Sequence, residues 1–285
     1  PAVQEHLRRG YPNVGIVLSS GKRELILSAY WMNSAGILGF GSEARQLLAI
    51  DRLGAFVTAP ISLRPRTPAN VPRLVDLPGS FLLHTGLPNA GLRRTLQQEL
   101  PFWSQLKIPL ILHLMISDPA EVREAGPLLE NVERIDALEL GLEHTSAETV
   151  GAIVQAAIQL QLPFLLRLPF DSPRDLFETA SSAGAHAIVI GPPRGCARSV
   201  QGELVCGRLY GPALFPMVME KLTRLRPNIG CSLIAGSGLF THADIETALQ
   251  AGADAVQLDT VLWTRPEILD GLDTLIEVVE WNPQT

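Results

Sequence analysis

The chain has 285 residues, 46% hydrophobic and 18% charged, which is enough apolar material for a large core and too much for a disordered chain. Its net charge of −6 comes without any dense block of Lys or Arg, so the footprint of a nucleic-acid or anionic-membrane binder is missing and a small-molecule ligand is expected. No apolar run in the first thirty residues is long enough for a signal peptide or a membrane span, and Cys196, Cys206 and Cys231 form neither a C-x-x-C pair nor an even framework. These features predict a cytoplasmic protein whose cysteines pack as small apolar side chains.

Residues 1–24 read as a lead-in, an extended piece covering one end of the domain. ELILSAYWM then opens a regular pattern of apolar strands and helices. After the turn SAGILGFG a helix is expected from Glu43 to Asp51, and GAFVTAP at 54–60 forms the second strand. The segment 61–89 is rich in proline; its FLLHT piece suggests a short strand outside the main repeat.

The pattern resumes with a helix over 92–105 that Pro101 could interrupt, followed by strands at 108–117, 135–143, 163–169 and 186–191 with helices near 120–130, 147–160 and 173–183 between them. A polar loop leads to Tyr210, and a helix follows Gly211. CSLIAGSG then ends a seventh strand in a glycine corner. Thr241 caps the helix behind it, Gly252 closes that helix, and ADAVQLD forms an eighth strand running into Thr260. A final helix is expected over 266–280.

Eight alternating units predict a single (β/α)8 TIM barrel over 1–285 with an excursion after the second strand; a doubly wound open sheet is the alternative. In such barrels the loops after strands seven and eight commonly hold phosphate, and those are the strands flanking the glycine corner.

The motifs NSAGILGFG, GAFVTAPISLRPRTPANVPR, GLPNAG, YGPALFP and the unit 231–260, in that order, resemble the flavin mononucleotide (FMN) barrels of the dihydroorotate dehydrogenase family. The resemblance implies an oxidoreductase of pyrimidine biosynthesis that passes hydride from a small cyclic substrate to flavin N5. It implies flavin contacts at Ala35 and Gly36, a cation near the ring at Arg167 in place of the family lysine, and phosphate contacts at Gly211, Ser237, Gly238 and Thr260. A second family lysine is replaced by Ala59. Asn89 is the remaining substrate-binding asparagine, whereas Leu83, Gly141 and Gly191 stand where the family has others, so dihydroorotate is expected to fit poorly.

The position of the family's catalytic base falls on His144, beside Glu143. His84 maps to the same mouth, whereas His113 reads as a core residue. No pair of histidines has metal-ligand spacing. Asp259 stands where the family has glycine, and a carboxylate aimed at a phosphate dianion would repel it. These departures support a second reading, a catalytically silent barrel serving as a structural or interaction subunit. A third is a flavin-free lyase or isomerase using His144 and Arg167. The resemblance also implies a homodimer or membership of a larger complex.

Overall fold

The computed structural model describes residues 16–20, 23–46, 48–130, 132–143 and 145–272. Its centre is an eight-stranded parallel sheet of β3 (Trp31–Asn33), β4 (Phe56–Val57), β7 (Leu110–Ile116), β8 (Ala137–Leu142), β9 (Phe164–Leu168), β10 (Ala187–Ile190), β13 (Ser232–Gly236) and β14 (Ala255–Leu258). The hydrogen-bonded order β3-β14-β13-β10-β9-β8-β7-β4 bends the sheet until its first and last members meet. Strands covered on both faces must be apolar throughout, which is why LILHLMI, ALELGL and FLLRL read as nearly unbroken hydrophobic runs.

The seam between β3 and β4 is closed by a side chain. The Asn33 amide donates to the Val57 carbonyl at 2.6 Å, and its Oδ1 accepts from the Val57 N–H at 2.9 Å. Gly54 N–H also donates to the Trp31 carbonyl at 2.8 Å. Because β4 has only two residues, the asparagine supplies the ladder contacts that a longer strand would make through its backbone.

The helices Leu92–Trp103, Pro119–Leu129, Ala147–Ile158, Arg174–Ser182, Phe215–Leu225 and His242–Gln250 cover the outside. Pro101 lies in the last turn of the first of these and does not interrupt it. Thr241 caps the last, its Oγ1 accepting from the Asp244 N–H, and Gly252 adopts φ +98° just beyond the end. The barrel and the excursion after its second strand are therefore as the sequence predicts.

Several details differ. ELILSAYWM is two elements: β2 (Arg23–Ile26) pairs antiparallel with β1 (Val17–Ser20), and only Trp31–Asn33 joins the barrel. Ile16, Leu18, Leu25 and Leu27 of that hairpin are buried against Met32, Val57, Ile111 and Leu165, so it covers the end of the barrel where the strands begin. The helix expected at 43–51 is two 3-10 turns, Ala44–Gln46 and Ile50–Arg52. Of the final helix expected over 266–280, the described part holds a 3-10 turn, Pro266–Leu269, and a helical Leu272, and residues 273–280 lie outside the described residues.

The polar loop before Tyr210 is a hairpin, β11 (Arg194–Arg198) and β12 (Leu204–Tyr210). It joins β5 (Leu74–Leu77) and β6 (Ser80–Leu83) from the excursion in a four-stranded antiparallel sheet beside the mouth. The alternating exposure of β11 explains why it reads as a loop: one face is wet and its Arg and Gly residues carry little strand propensity. Cys196 and Cys206 lie opposite each other on this hairpin and form a disulfide. That corrects the expectation of unpaired packing thiols and removes the cysteine argument for a reducing compartment. Cys231 stays free. Among the described residues no helix is long and apolar enough to cross a membrane.

Candidate functional site at the barrel mouth

Four barrel strands each carry one polar residue inside an otherwise apolar run: His113 on β7, Glu139 on β8, Arg167 on β9 and Gln257 on β14. The strand register sets His113 directly opposite Glu139, while Arg167 pairs with Gly141, two residues beyond Glu139 and on the same face. All four side chains point into the barrel and meet. His113 Nδ1 donates to Glu139 Oε1 at 2.7 Å, and Arg167 Nη1 reaches the same oxygen at 3.4 Å. Gln257 donates from Nε2 to Glu139 Oε2 and accepts at Oε1 from Arg167. Arg167 Nη2 donates to Ser34 Oγ at 2.9 Å.

Every member is almost fully removed from water, with Arg167 the most accessible at 8%. Burial alone would push the Glu139 carboxyl up; the His113 hydrogen bond, the Arg167 charge and the Gln257 hydrogen bond outweigh it and hold the group below the usual carboxylate range. Burial pushes the His113 imidazole down despite Glu139, which leaves the ring neutral near pH 7 with its proton on Nδ1. Nε2 is then a free acceptor.

That nitrogen faces a cleft at the strands' C-terminal ends. A Cβ placed on Gly141 would lie 2.4 Å from His113 Nε2, so the imidazole fills the space that a side chain at 141 would take. His113, Gly141, Arg167, Gly191 and Tyr210 line the cleft, and its volume of ≈ 120 Å³ suits one small ring. Arg167 Nε makes no hydrogen bond among the described residues and lies 3.6 Å from where a Cβ of Gly191 would stand, leaving a donor at the cleft wall. At the rim, Glu143 pairs with Arg194 at 2.5 Å and with Arg208 at 3.5 Å. Arg66 also lines the cleft and has no ion-pair partner among the described residues, so the mouth retains a cation for an acidic ligand.

The other expected site residues separate into three groups. Ala35 lines the cleft, and Gly36 sits beside it at φ +86°, where an added Cβ would come within 3.2 Å of Pro60. Asn89 does not line the cleft. Its Oδ1 accepts from the N–H groups of Ser62 and Gly91 at 3.2 and 2.9 Å, and its amide donates to Leu87 O and Ser62 Oγ, so it braces the loop carrying Ser62 and Arg66. His84 is exposed in a neighbouring depression shared with Arg66 and Tyr210. His144 lies outside the described residues.

Ser237, Gly238 and Thr260 follow the ends of β13 and β14, where the Asp259 carboxylate bridges Gly238 and Thr260, whereas Gly211 packs against Gly79 and Ser80. The carboxylate accepts from the N–H of Gly238 at 3.3 Å and from the Thr260 hydroxyl at 3.3 Å. The side chain is 1% exposed, and burial raises its carboxyl to about 6 against the pull of those donors. The surrounding backbone is tightly packed, since a Cβ on Gly238 would stand 2.7 Å from Phe215 N and one on Gly211 2.6 Å from the Gly79 carbonyl. Ser237 holds φ +81°, and its buried Oγ has no partner.

These observations test the fit of FMN in two halves. The mouth offers a guanidinium N–H and a close glycine turn that fit a planar hydrogen-bonding ring, with a free imidazole nitrogen beside them. The corner has given the Gly238 N–H and the Thr260 hydroxyl to an internal anion, and with that anion in place it does not fit a phosphate dianion.

A sequence model described as dihydroorotate dehydrogenase matches residues 24–141. Among curated proteins, the chain is 28% identical over 266 residues to the dihydroorotate dehydrogenase B (NAD(+)) catalytic subunit of Trichlorobacter lovleyi, covering 85% of this chain and 88% of that one. It is 26% identical to the same subunit from Pelobacter propionicus, with coverages of 86% and 89%. The counterpart from a Geobacillus species is 25% identical, with 82% of each chain covered.

Proposed function

We propose that the chain belongs to the dihydroorotate dehydrogenase family, as a flavin-dependent oxidoreductase of that type working as a catalytic subunit within a larger assembly. Its flavin is FMN or the same ring system, held at the barrel mouth, and its substrate is a small cyclic carboxylic acid. The observation that carries this reading is the buried Arg167, fixed by Glu139, Gln257 and Ser34 with its Nε still free at the cleft wall. A cation in that place stabilises negative charge developing on a ring above it.

A bound flavin supplies the hydride acceptor. The rest is done by the chain. Arg66, without a partner of its own, suits a substrate carboxylate. His113 Nε2 takes the proton released from substrate carbon, while Glu139 holds Nδ1–H, fixes the tautomer and stabilises the imidazolium that forms. The second family lysine has no equivalent at Ala59, so Arg167 carries the ring's charge alone.

Gly141, Gly191 and Leu83 cannot offer amide groups, and His113 takes the space at 141, so a pyrimidine ring would leave its amides short of partners at about 1–3 kcal/mol each. Dihydroorotate is therefore a slow substrate compared with less polar cyclic acids. The test is to isolate the native protein, record its flavin spectrum, and add dihydroorotate and other cyclic carboxylic acids without oxygen. Bleaching by at least one of them is expected. Protein that neither carries nor takes up any flavin would overturn the assignment.

A further inference from the structure

Among the described residues two carboxylates are buried in the barrel, and the proposed chemistry uses only Glu139. Asp259 is the other. We propose that Asp259 is a built-in anion that takes the place of a ligand phosphate, so that the chain holds its flavin by the ring and gains nothing from a phosphate at the corner of β13 and β14. This rests on the flavin reading above.

The geometry gives the reason. An anion corner works by presenting several donors to one point, and here the Gly238 N–H goes to the Asp259 carboxylate. The Thr260 hydroxyl goes there too. A phosphate would have to displace a carboxylate that cannot retreat, because Asp259 sits on a strand end with neighbours Leu258 and Thr260 both at 0% exposure. No cation among its hydrogen-bond partners would let carboxylate and phosphate share the site. Two anions a few ångströms apart in such surroundings repel by enough to cost at least about tenfold in affinity. Asp259 also explains how this corner keeps its shape, with glycines at Gly211 and Gly238 packed against backbone, while holding an internal ligand.

The experiment compares the wild type, Asp259→Gly and Asp259→Asn with three probes at pH 8: riboflavin, FMN and inorganic phosphate. Flavin affinities come from titration of flavin fluorescence, and phosphate binding from the rise in melting temperature over chloride at matched ionic strength. Asp259→Asn keeps the side chain's shape and serves where the glycine variant fails to fold. The wild type is expected to bind FMN no more tightly than riboflavin and to melt alike in phosphate and chloride. The variants should prefer FMN by about tenfold or more and gain melting temperature in phosphate.

A wild type that prefers FMN by that margin, or that phosphate stabilises as much as the variants, would overturn the proposal. So would variants that remain indifferent to phosphate, because removing the carboxylate would then have freed nothing. Failure of every form to bind either flavin, with the phosphate difference intact, would instead defeat the flavin reading and leave the internal anion standing.

Discussion

The mouth and the corner each bury a carboxylate, Glu139 in the middle of β8 and Asp259 just past the end of β14, and they treat it in opposite ways. Glu139 has an imidazole, a guanidinium and an amide as side-chain partners, and its carboxyl is held below the ordinary range. Asp259 has one backbone N–H and one hydroxyl, and its carboxyl rises to about 6. Backbone dipoles alone do not repay burial of a full charge, whereas a cation with two further hydrogen bonds does. The mouth has therefore used its charges to fix one another and still faces a cleft with a free nitrogen. The corner has closed on itself.

The largest expected effect breaks the mouth. Glu139→Ala leaves Arg167 buried beside His113 with no counter-anion, which should cost about 3–5 kcal/mol in urea unfolding. A loss below about 1 kcal/mol would mean that Arg167 does not depend on the pair.

Next comes the corner. A folded-state carboxyl raised from 3.8 to about 6 means that the folded chain binds its proton more tightly than the unfolded chain, so this group's contribution to stability falls as pH rises between those values. Asp259→Asn should thus be more stable than the wild type at pH 8 by about 1–3 kcal/mol, with the gap closing below about pH 4. Tyr210, the titrating neighbour that feels the Asp259 charge, is itself pushed up by burial and stays neutral across that window. Melting curves of both forms from pH 4 to 8 check the sign. For Glu139 the sign is reversed: its stabilisation is present above the unfolded carboxylate value and is lost as the pH falls below it.

A smaller effect sharpens the contrast. Gly141→Ala puts a methyl 2.4 Å from His113 Nε2 and must tilt the ring away from the cleft, at about 1–3 kcal/mol. Nuclear magnetic resonance of the imidazole should report the tilt as a weakened Nδ1–H hydrogen bond.

Much of the barrel was legible because its strands are apolar on both faces and its helices carry caps and glycine stops, as at Thr241 and Gly252. The hairpin of Cys196 and Cys206 was not, because one of its faces is solvated and its pairing partner β6 lies far upstream in the excursion, with Arg208 opposite Leu83. Asp259 was legible as an anion in an anion's place, although only the coordinates show its carboxylate accepting from the Gly238 N–H and the Thr260 hydroxyl. His113 is the buried, hydrogen-bonded core residue that the sequence suggests, but its partners are not legible from its own strand. One histidine in LILHLMI reads as an isolated core residue, yet Glu139, Arg167 and Gln257 interrupt three other apolar strands. Four such interruptions have no explanation unless they meet, and counting them together was the available signal. The partner space at Gly141 could not be read without the register.

The most direct measurement of the account is the anaerobic bleaching rate of flavin-loaded protein by a cyclic carboxylic acid across pH, for the wild type and His113→Asn. With its imidazole pushed down by burial, the wild type should bleach at a constant rate through neutral pH and slow only below the ordinary histidine range, as Nε2 becomes protonated. His113→Asn should bind flavin with an unchanged spectrum, bleach at least about a hundredfold more slowly and lose that acid limb. Equal rates and equal pH profiles in the two proteins would contradict the claim that the buried pair at the mouth carries the proton.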